Sequence, residues 1–278
     1  MSKPISVILM QTRSSRALNV GYLKKNKFIP CRLNLGVERQ NHTLLATIDS
    51  LKLPTAQKIL KKFKAREIST VSILREALAC QLGFALSKAG VINHFGDCFI
   101  GATHVKEQGT IVTKYQYENA EGLCKGGLWV IADSICVGRN LGKTMQSLLS
   151  KYQPQEVLFI CPMASQLGIK NISRIVEKYH IPLTFIVWGA VFGVDKDNLY
   201  DMPWGHQDTK PLDLRDQKTF IKMYGSNLCV GGDFGNDYYC PSAAEKLYRE
   251  QLREHNITPN IPSVKEVLAI YKDEELLA

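Results

Sequence analysis

From Ser69 to Trp188 the chain alternates short apolar runs with segments of helical spacing, and this alternation limits the fold more than any other feature of the sequence. Strand-like runs at Thr70–Leu74, Cys98–Thr103, Thr110–Tyr117, Gly127–Ala132, Glu156–Pro162 and Leu183–Trp188 are interleaved with helical segments at Ala77–Ala89, Leu141–Lys151 and Ile169–Tyr179. Runs such as Trp129-Val130-Ile131-Ala132 are continuously apolar, which marks strands covered on both faces. The pattern predicts an α/β fold with a mainly parallel sheet and helices on both faces. Ligands of such sheets bind beyond the carboxyl ends of the strands.

The flanking segments read differently. Residues 1–68 read as a basic N-terminal extension, 69–241 as the α/β core, and 242–278 as C-terminal helices at Ser242–Glu254 and Val264–Leu277. Within the extension, Ile5–Met10 and Phe28–Leu35 read as strands of a small β unit. Thr43–Leu51 and Thr55–Lys64 read as two helices around Pro54, the arrangement of a helix-turn-helix. The polar stretch Asp195–Lys222 reads as a long loop or hood over the sheet edge.

The net charge of +9 is unevenly placed. Residues 1–70 carry 14 Lys and Arg against three acids, whereas the remainder carries 21 against 23. A field of that kind attracts polyanions. Lys58, Lys61, Lys62 and Lys64 surround Ile59, Leu60 and Phe63, giving a basic outer face that fits nucleic-acid phosphates and equally fits a packing arm with a solvated side. No apolar run approaches the roughly 20 residues that span a bilayer, so no membrane association is expected and the chain is assigned to the cytoplasm. Eight cysteines stand singly, without a C-x2-C pair, and read as reduced core thiols rather than zinc ligands.

One turn has the residues for anion chemistry. After the run ending at Ala132, Asp133-Ser134-Ile135-Cys136-Val137-Gly138-Arg139-Asn140 leads into a helix. Backbone N–H groups and the positive end of the helix dipole suit a sugar phosphate at Gly138, Arg139 and Asn140. Asp133 suits ribose hydroxyls or Mg2+. The same turn also reads as an ordinary helix entry with a polar cap. No spacing points to a Ser/His/Asp or Cys/His triad.

Four segments in order, Ser72 to Leu78, Cys98 to Ala102, Trp129 to Ser134 and Gly232 to Gly235, resemble the landmarks of uracil phosphoribosyltransferases, and the resemblance covers roughly residues 69–240. It implies a phosphoribosyltransferase-like core that binds phosphoribosyl pyrophosphate or a nucleotide. Ile73-Leu74-Arg75-Glu76-Ala77-Leu78 is similar to the family's Ile-Leu-Arg-Ala-Gly-Leu, whose arginine contacts the donor's pyrophosphate, so Arg75 takes that role. Lys114 adds charge from the strand beyond Ile100-Gly101-Ala102. Gly231, Gly232 and Gly235 are similar to the loop that reads the base through its main chain, and Asp233 within it would support Mg2+ or pyrophosphate. Arg75, Asp133 and Asp233 are thus the implied catalytic set, Asp133 and Asp233 the implied Mg2+ ligands, and a homo-oligomer the implied assembly.

The implied reaction displaces pyrophosphate from the anomeric carbon by a ring nitrogen of a pyrimidine-type base. The donor loop departs from the family's Asp-Pro-Met-Leu-Ala-Thr-Gly-Gly-Ser: whether Gly138 replaces the threonine or follows a one-residue deletion, the hydroxyl pair that wraps the 5′-phosphate is missing, and Arg139 stands where a glycine allows close backbone approach. That departure keeps a second reading open: a catalytically altered module of the same fold that senses a nucleotide or binds nucleic acid through residues 1–70.

Overall fold

A computed structural model describes residues 5–107, 110–195, 201–229 and 240–275. Its centre is a seven-stranded sheet in the order β1 (Ile5–Met10), β10 (Leu183–Trp188), β8 (Glu156–Cys161), β7 (Leu128–Ala132), β4 (Ile68–Leu74), β5 (Gly96–Glu107), β6 (Thr110–Glu118). All pairings are parallel except β5 with β6, whose register slips between Gly101 and Ala102. The apolar runs predict these strands because central parallel strands have no solvent side: β8 and β10 are buried at every residue.

Helices cover both faces. On one, α5 (Arg139–Lys151) and α6 (Gln166–Glu177) bury Leu141, Met145, Leu148, Ile169, Ile172 and Val176 against Trp129, Ile131, Phe159 and Phe185. Spacings of i, i+4, i+7 in α5 and i, i+3, i+7 in α6 put those residues on one stripe of each helix. On the other, α2 (Gly36–Lys52), α3 (Pro54–Leu60) and α4 (Leu82–Lys88) bury Ala46, Leu51, Ala56, Ile59, Leu60, Leu82 and Leu86 against Val130, Leu158, Ile160 and Ile186.

The segment expected as an appended N-terminal extension is therefore part of the main body. β1 pairs with β10 along its whole length, Ile5 opposite Leu183 through Met10 opposite Trp188. The two expected helices exist, but their apolar faces are core, so no free helix-turn-helix is presented. The physical reason is that charge asymmetry describes only the surface of a segment, while its apolar stripe decides where it packs.

A third cluster caps the carboxyl side of the sheet. The hairpin of β2 (Gly21–Lys24) and β3 (Lys27–Pro30) packs there with α7 (Leu214–Tyr224), α8 (Pro241–Glu254) and α9 (Val264–Glu275) around Tyr22, Ile29, Trp204, Phe220, Tyr224 and Tyr248. Met163 and Ala79, which follow β8 and β4, belong to the same cluster. The expected hood thus contains a helix, α7, and is built from three distant parts of the chain. The strand expected to run to Leu35 stops at Pro30 and gives way to a single 3-10 turn, Cys31–Leu33. The helix expected over Ala77–Ala89 is interrupted at Gln81, whose φ of 45° is left-handed. Among the described residues no helix is long and apolar enough to cross a membrane.

Candidate functional site

Parallel strands deliver their carboxyl ends to one rim. β4 ends at Leu74, and Arg75 and Glu76 follow; the Leu74–Arg75 peptide is cis. β7, the neighbour of β4, ends at Ala132, and Asp133 and Ser134 follow. Two of the expected residues, Arg75 and Asp133, therefore stand on adjacent strand ends. Arg75 is exposed and Asp133 partly buried.

The turn from β7 into α5 is fixed by main-chain bonds. Asp133 N donates to Ile160 O at 3.3 Å, Ile135 N to Met163 O at 2.9 Å, and Ser165 N to Ile135 O at 2.8 Å. The Ser165 hydroxyl donates to Cys136 O, and Asn171 Nδ2 donates to Val137 O at 3.0 Å. Gly138 closes the turn with φ of 72°, in the left-handed region. Helix α5 then starts with no side-chain cap and no acid in its first turn, and its first residue is the exposed Arg139. The positive end of the helix dipole beside a guanidinium favours an anion at Gly138, Arg139 and Asn140.

The two loops are tied together by residues the sequence reading did not single out. Ser134 Oγ donates to Glu76 Oε1 at 2.5 Å. Burial, and then the Glu76 charge, push the Asp133 carboxyl well above the usual carboxylate range, against a hydrogen bond from the Ser134 backbone. The buried Cys80 thiol is pushed up to about 12, mainly by burial and also by Glu76 and Asp133. The Glu76 and Asp133 carboxyls thus share one electrostatic neighbourhood with the buried Cys80 thiol. The signal in the sequence is the acid at position 76, where the family resemblance has alanine.

These residues fit Mg2+ in part. A buried carboxyl raised by a neighbouring carboxylate gains from a divalent cation, and Mg2+ is commonly held by one or two carboxylates with water and substrate phosphates. Among the described residues no three His, Cys, Asp or Glu side chains come together as a metal cluster.

The remaining expected residues are distributed as follows. Lys114 pairs with Thr103 in register, two residues beyond the Leu74–Gly101 pair, so it lies on the two-stranded arm past the rim and is exposed. Gly231, Gly232, Asp233 and Gly235 lie outside the described residues. Lys58, Lys61, Lys62 and Lys64 are exposed at the opposite, amino edge of the sheet, because α3 leads into the start of β4. A cavity of about 530 Å³ opens beyond β1, lined by Gln11, Thr12, Arg13, Arg16, Asp213 and Arg215 among others, three strands along the rim from Asp133. It includes neither Arg75 nor Asp133.

No family model matches the chain, and no curated protein matches it. Solved structures do. The chain is similar to the AQ2163 protein of Aquifex aeolicus, at 18% identity over 70% of this chain and 95% of that one, with a TM-score of 0.48. It is similar to hypoxanthine-guanine phosphoribosyl transferase of L. donovani, at 15% identity over 53% and 79% of the two chains, with a TM-score of 0.36. It is also similar to adenine phosphoribosyltransferase of Saccharomyces cerevisiae, at 13% identity over 63% and 97%, with a TM-score of 0.35. All three are distant likenesses.

Proposed function

We propose that the rim formed by Arg75, Glu76, Asp133, Ser134 and the start of α5 binds a phosphoribosyl donor or a nucleotide. The observation that carries this reading is the 2.5 Å bond from Ser134 to Glu76, which holds the arginine-bearing loop and the phosphate-type turn on one rim. Main-chain N–H groups at Gly138, Arg139 and Asn140 take the 5′-phosphate. Arg75 takes the pyrophosphate oxygens in a bidentate fork. Asp133 receives ribose hydroxyls, or holds Mg2+ with Glu76. A bound Mg2+ neutralises charge on the phosphates.

With phosphoribosyl pyrophosphate as donor, the reading extends to transfer. A ring nitrogen of a pyrimidine-type base forms the bond to the anomeric carbon, and the bond from that carbon to the pyrophosphate oxygen breaks. Pyrophosphate leaves with the electron pair, and the base gives up its proton to solvent. Arg75 and Lys114 would offset the charge of the leaving group. The glycines at 231, 232 and 235 would meet the base edge, and Asp233 would assist the metal, as the sequence resemblance implies.

Calorimetric titration with phosphoribosyl pyrophosphate, and separately with uridine monophosphate, in Mg2+ tests the reading. The expected result is saturable binding that Arg75→Ala weakens roughly 100-fold, the effect of losing a charged hydrogen-bonding partner worth about 3 kcal/mol. Binding of neither ligand, or equal binding by the variant, overturns it. Nucleotide binding without pyrophosphate release from donor and uracil assigns the site to sensing rather than transfer.

A further inference from the structure

The amino edge of the sheet, opposite the candidate site, collects cations from parts of the chain far apart in sequence. Lys62, Lys64 and Arg66 lie between α3 and β4, and Lys125 precedes β7; all four are exposed. Contacts join these turns into one ledge. Lys62 Nζ lies 2.7 Å from Oε2 of Glu156, the first residue of β8. Cys124 Sγ donates to Glu67 O at 3.1 Å, and Gly126 N donates to Gln153 O at 3.0 Å. Lys125 Nζ stands 5.8 Å from the centre of the Tyr152 ring, at the end of α5.

More cations reach the same edge at helix ends. Lys58, Lys61, Lys88, Lys151 and Lys178 sit in the last turn or C-cap of α3, α4, α5 and α6, each of which runs back toward the start of a strand. For these, the negative end of a helix dipole is reason enough. It is no reason for Lys62, Lys64, Arg66 or Lys125, which lie outside any α-helix. Lys64, Arg66 and Lys125 make no ion pair among the described residues. Local acids are partly engaged already: Glu156 by Lys62, and Glu67 by the backbone N–H of Lys64 at 2.8 Å. Glu121 and Glu177 are exposed nearby.

Aromatic rings accompany the charge. Phe95 is 45% exposed and is held at the start of β4 by its N–H, which donates to Ile68 O at 2.7 Å. Phe63 and Tyr152 are half-buried on the same edge. Cations that track a backbone, with ring faces open to bases, are the means by which single strands are bound without sequence preference. A lipid surface is instead met by an amphipathic helix lying in the plane, whereas here the unexplained cations come from turns.

We propose that the amino edge of the sheet binds single-stranded nucleic acid, with backbone phosphates on Lys64, Arg66 and Lys125 and a base stacked on Phe95. The ledge lies at the far end of the strands from Arg75 and Asp133, so it stands or falls independently of the donor-binding reading.

Fluorescence anisotropy with a labelled single strand of about 16 nucleotides tests it across salt from about 50 to 200 mM. The wild-type chain is expected to bind with affinity falling steeply with salt. Joint replacement Lys64→Gln, Arg66→Gln and Lys125→Gln, at exposed sites, should flatten the logarithmic salt slope by about 2, three contacts at ~0.7 each for a single strand. Phe95→Ala should weaken binding roughly 10-fold and leave the slope unchanged. Circular dichroism melting establishes that the variants are folded. Absence of binding at the lowest salt, wild-type affinity and slope in the triple variant, or binding to phosphatidylserine vesicles that the oligonucleotide does not displace, each overturns the proposal.

Discussion

Ser134 and Glu76 share a 2.5 Å hydrogen bond across 58 positions of sequence, and the Glu76 charge helps to raise the neighbouring Asp133 carboxyl. A hydroxyl and two carboxylates on adjacent strand ends therefore act as one electrostatic unit, and changing one member alters the others.

Glu76→Gln keeps an acceptor for Ser134 and removes the like charge beside Asp133. If the pair holds Mg2+, the ratio of donor affinity with and without Mg2+ should fall about 10-fold, the usual effect of losing a group that supports a metal ligand. Paired calorimetric titrations with Mg2+ and with a chelator measure that ratio. A ratio equal to that of the wild type separates Glu76 from the metal.

Asp133 makes a pH-dependent contribution of known sign. Burial and Glu76 raise its folded-state pKa above the unfolded value. The folded chain then holds a proton the unfolded chain has lost, so stability falls as pH rises from about 4 toward the raised value. Asp133→Asn removes this penalty. It should raise the melting temperature at pH 7 by roughly 2–4 °C, for a gain of about 1 kcal/mol, and have little effect near pH 4. Thermal melts of both proteins across that range should converge at the acid end; parallel curves would falsify the assignment.

Much of this arrangement is legible in the sequence, for reasons specific to particular residues. Leu128–Ala132, Glu156–Cys161 and Leu183–Trp188 announce themselves because a strand covered on both faces has no polar side to show. Arg75 and Asp133 stand out because each directly follows such a strand. The place of Ile5–Met10 is hidden, since its strand partner among the described residues is Leu183–Trp188, far along the chain, and local pattern carries no register. Glu76 and Ser134 escape notice for the same reason: their hydrogen bond is made by the closeness of β4 and β7, not by spacing. Lys125, Lys151 and Lys178 join Lys61 and Lys64 only once the starts of the strands are aligned.

Ser50 links the N-terminal segment to the sheet. Its hydroxyl accepts from Trp188 Nε1 at 2.8 Å and also bonds Ala46 O and Met10 Sδ. Ser50→Ala leaves a fully buried indole N–H without its partner, at a cost of about 1–3 kcal/mol. Urea unfolding followed by tryptophan fluorescence should show a lower midpoint with an unchanged slope. An unchanged midpoint would mean that α2 is held to β10 by apolar contact alone.

Gly138 is needed for two reasons. Its φ of 72° disfavours any residue with a Cβ, and an added Cβ would stand 3.2 Å from Ile172 Cδ1, tighter than ordinary contact. Gly138→Ala should cost about 1–2 kcal/mol through the left-handed backbone, with a further loss if Ile172 does not yield. Gly138→Asn should recover part of the backbone cost, because asparagine tolerates this conformation, and none of the crowding at Ile172. The reading of α5 as a phosphate site adds a second expectation: both variants displace the helix start, so phosphate competition for donor binding weakens at temperatures where each variant is fully folded. Melting curves give the first quantity and calorimetry with inorganic phosphate the second. A variant that melts early yet binds phosphate like the wild type would remove the start of α5 from the site and leave the anion to Arg75 alone.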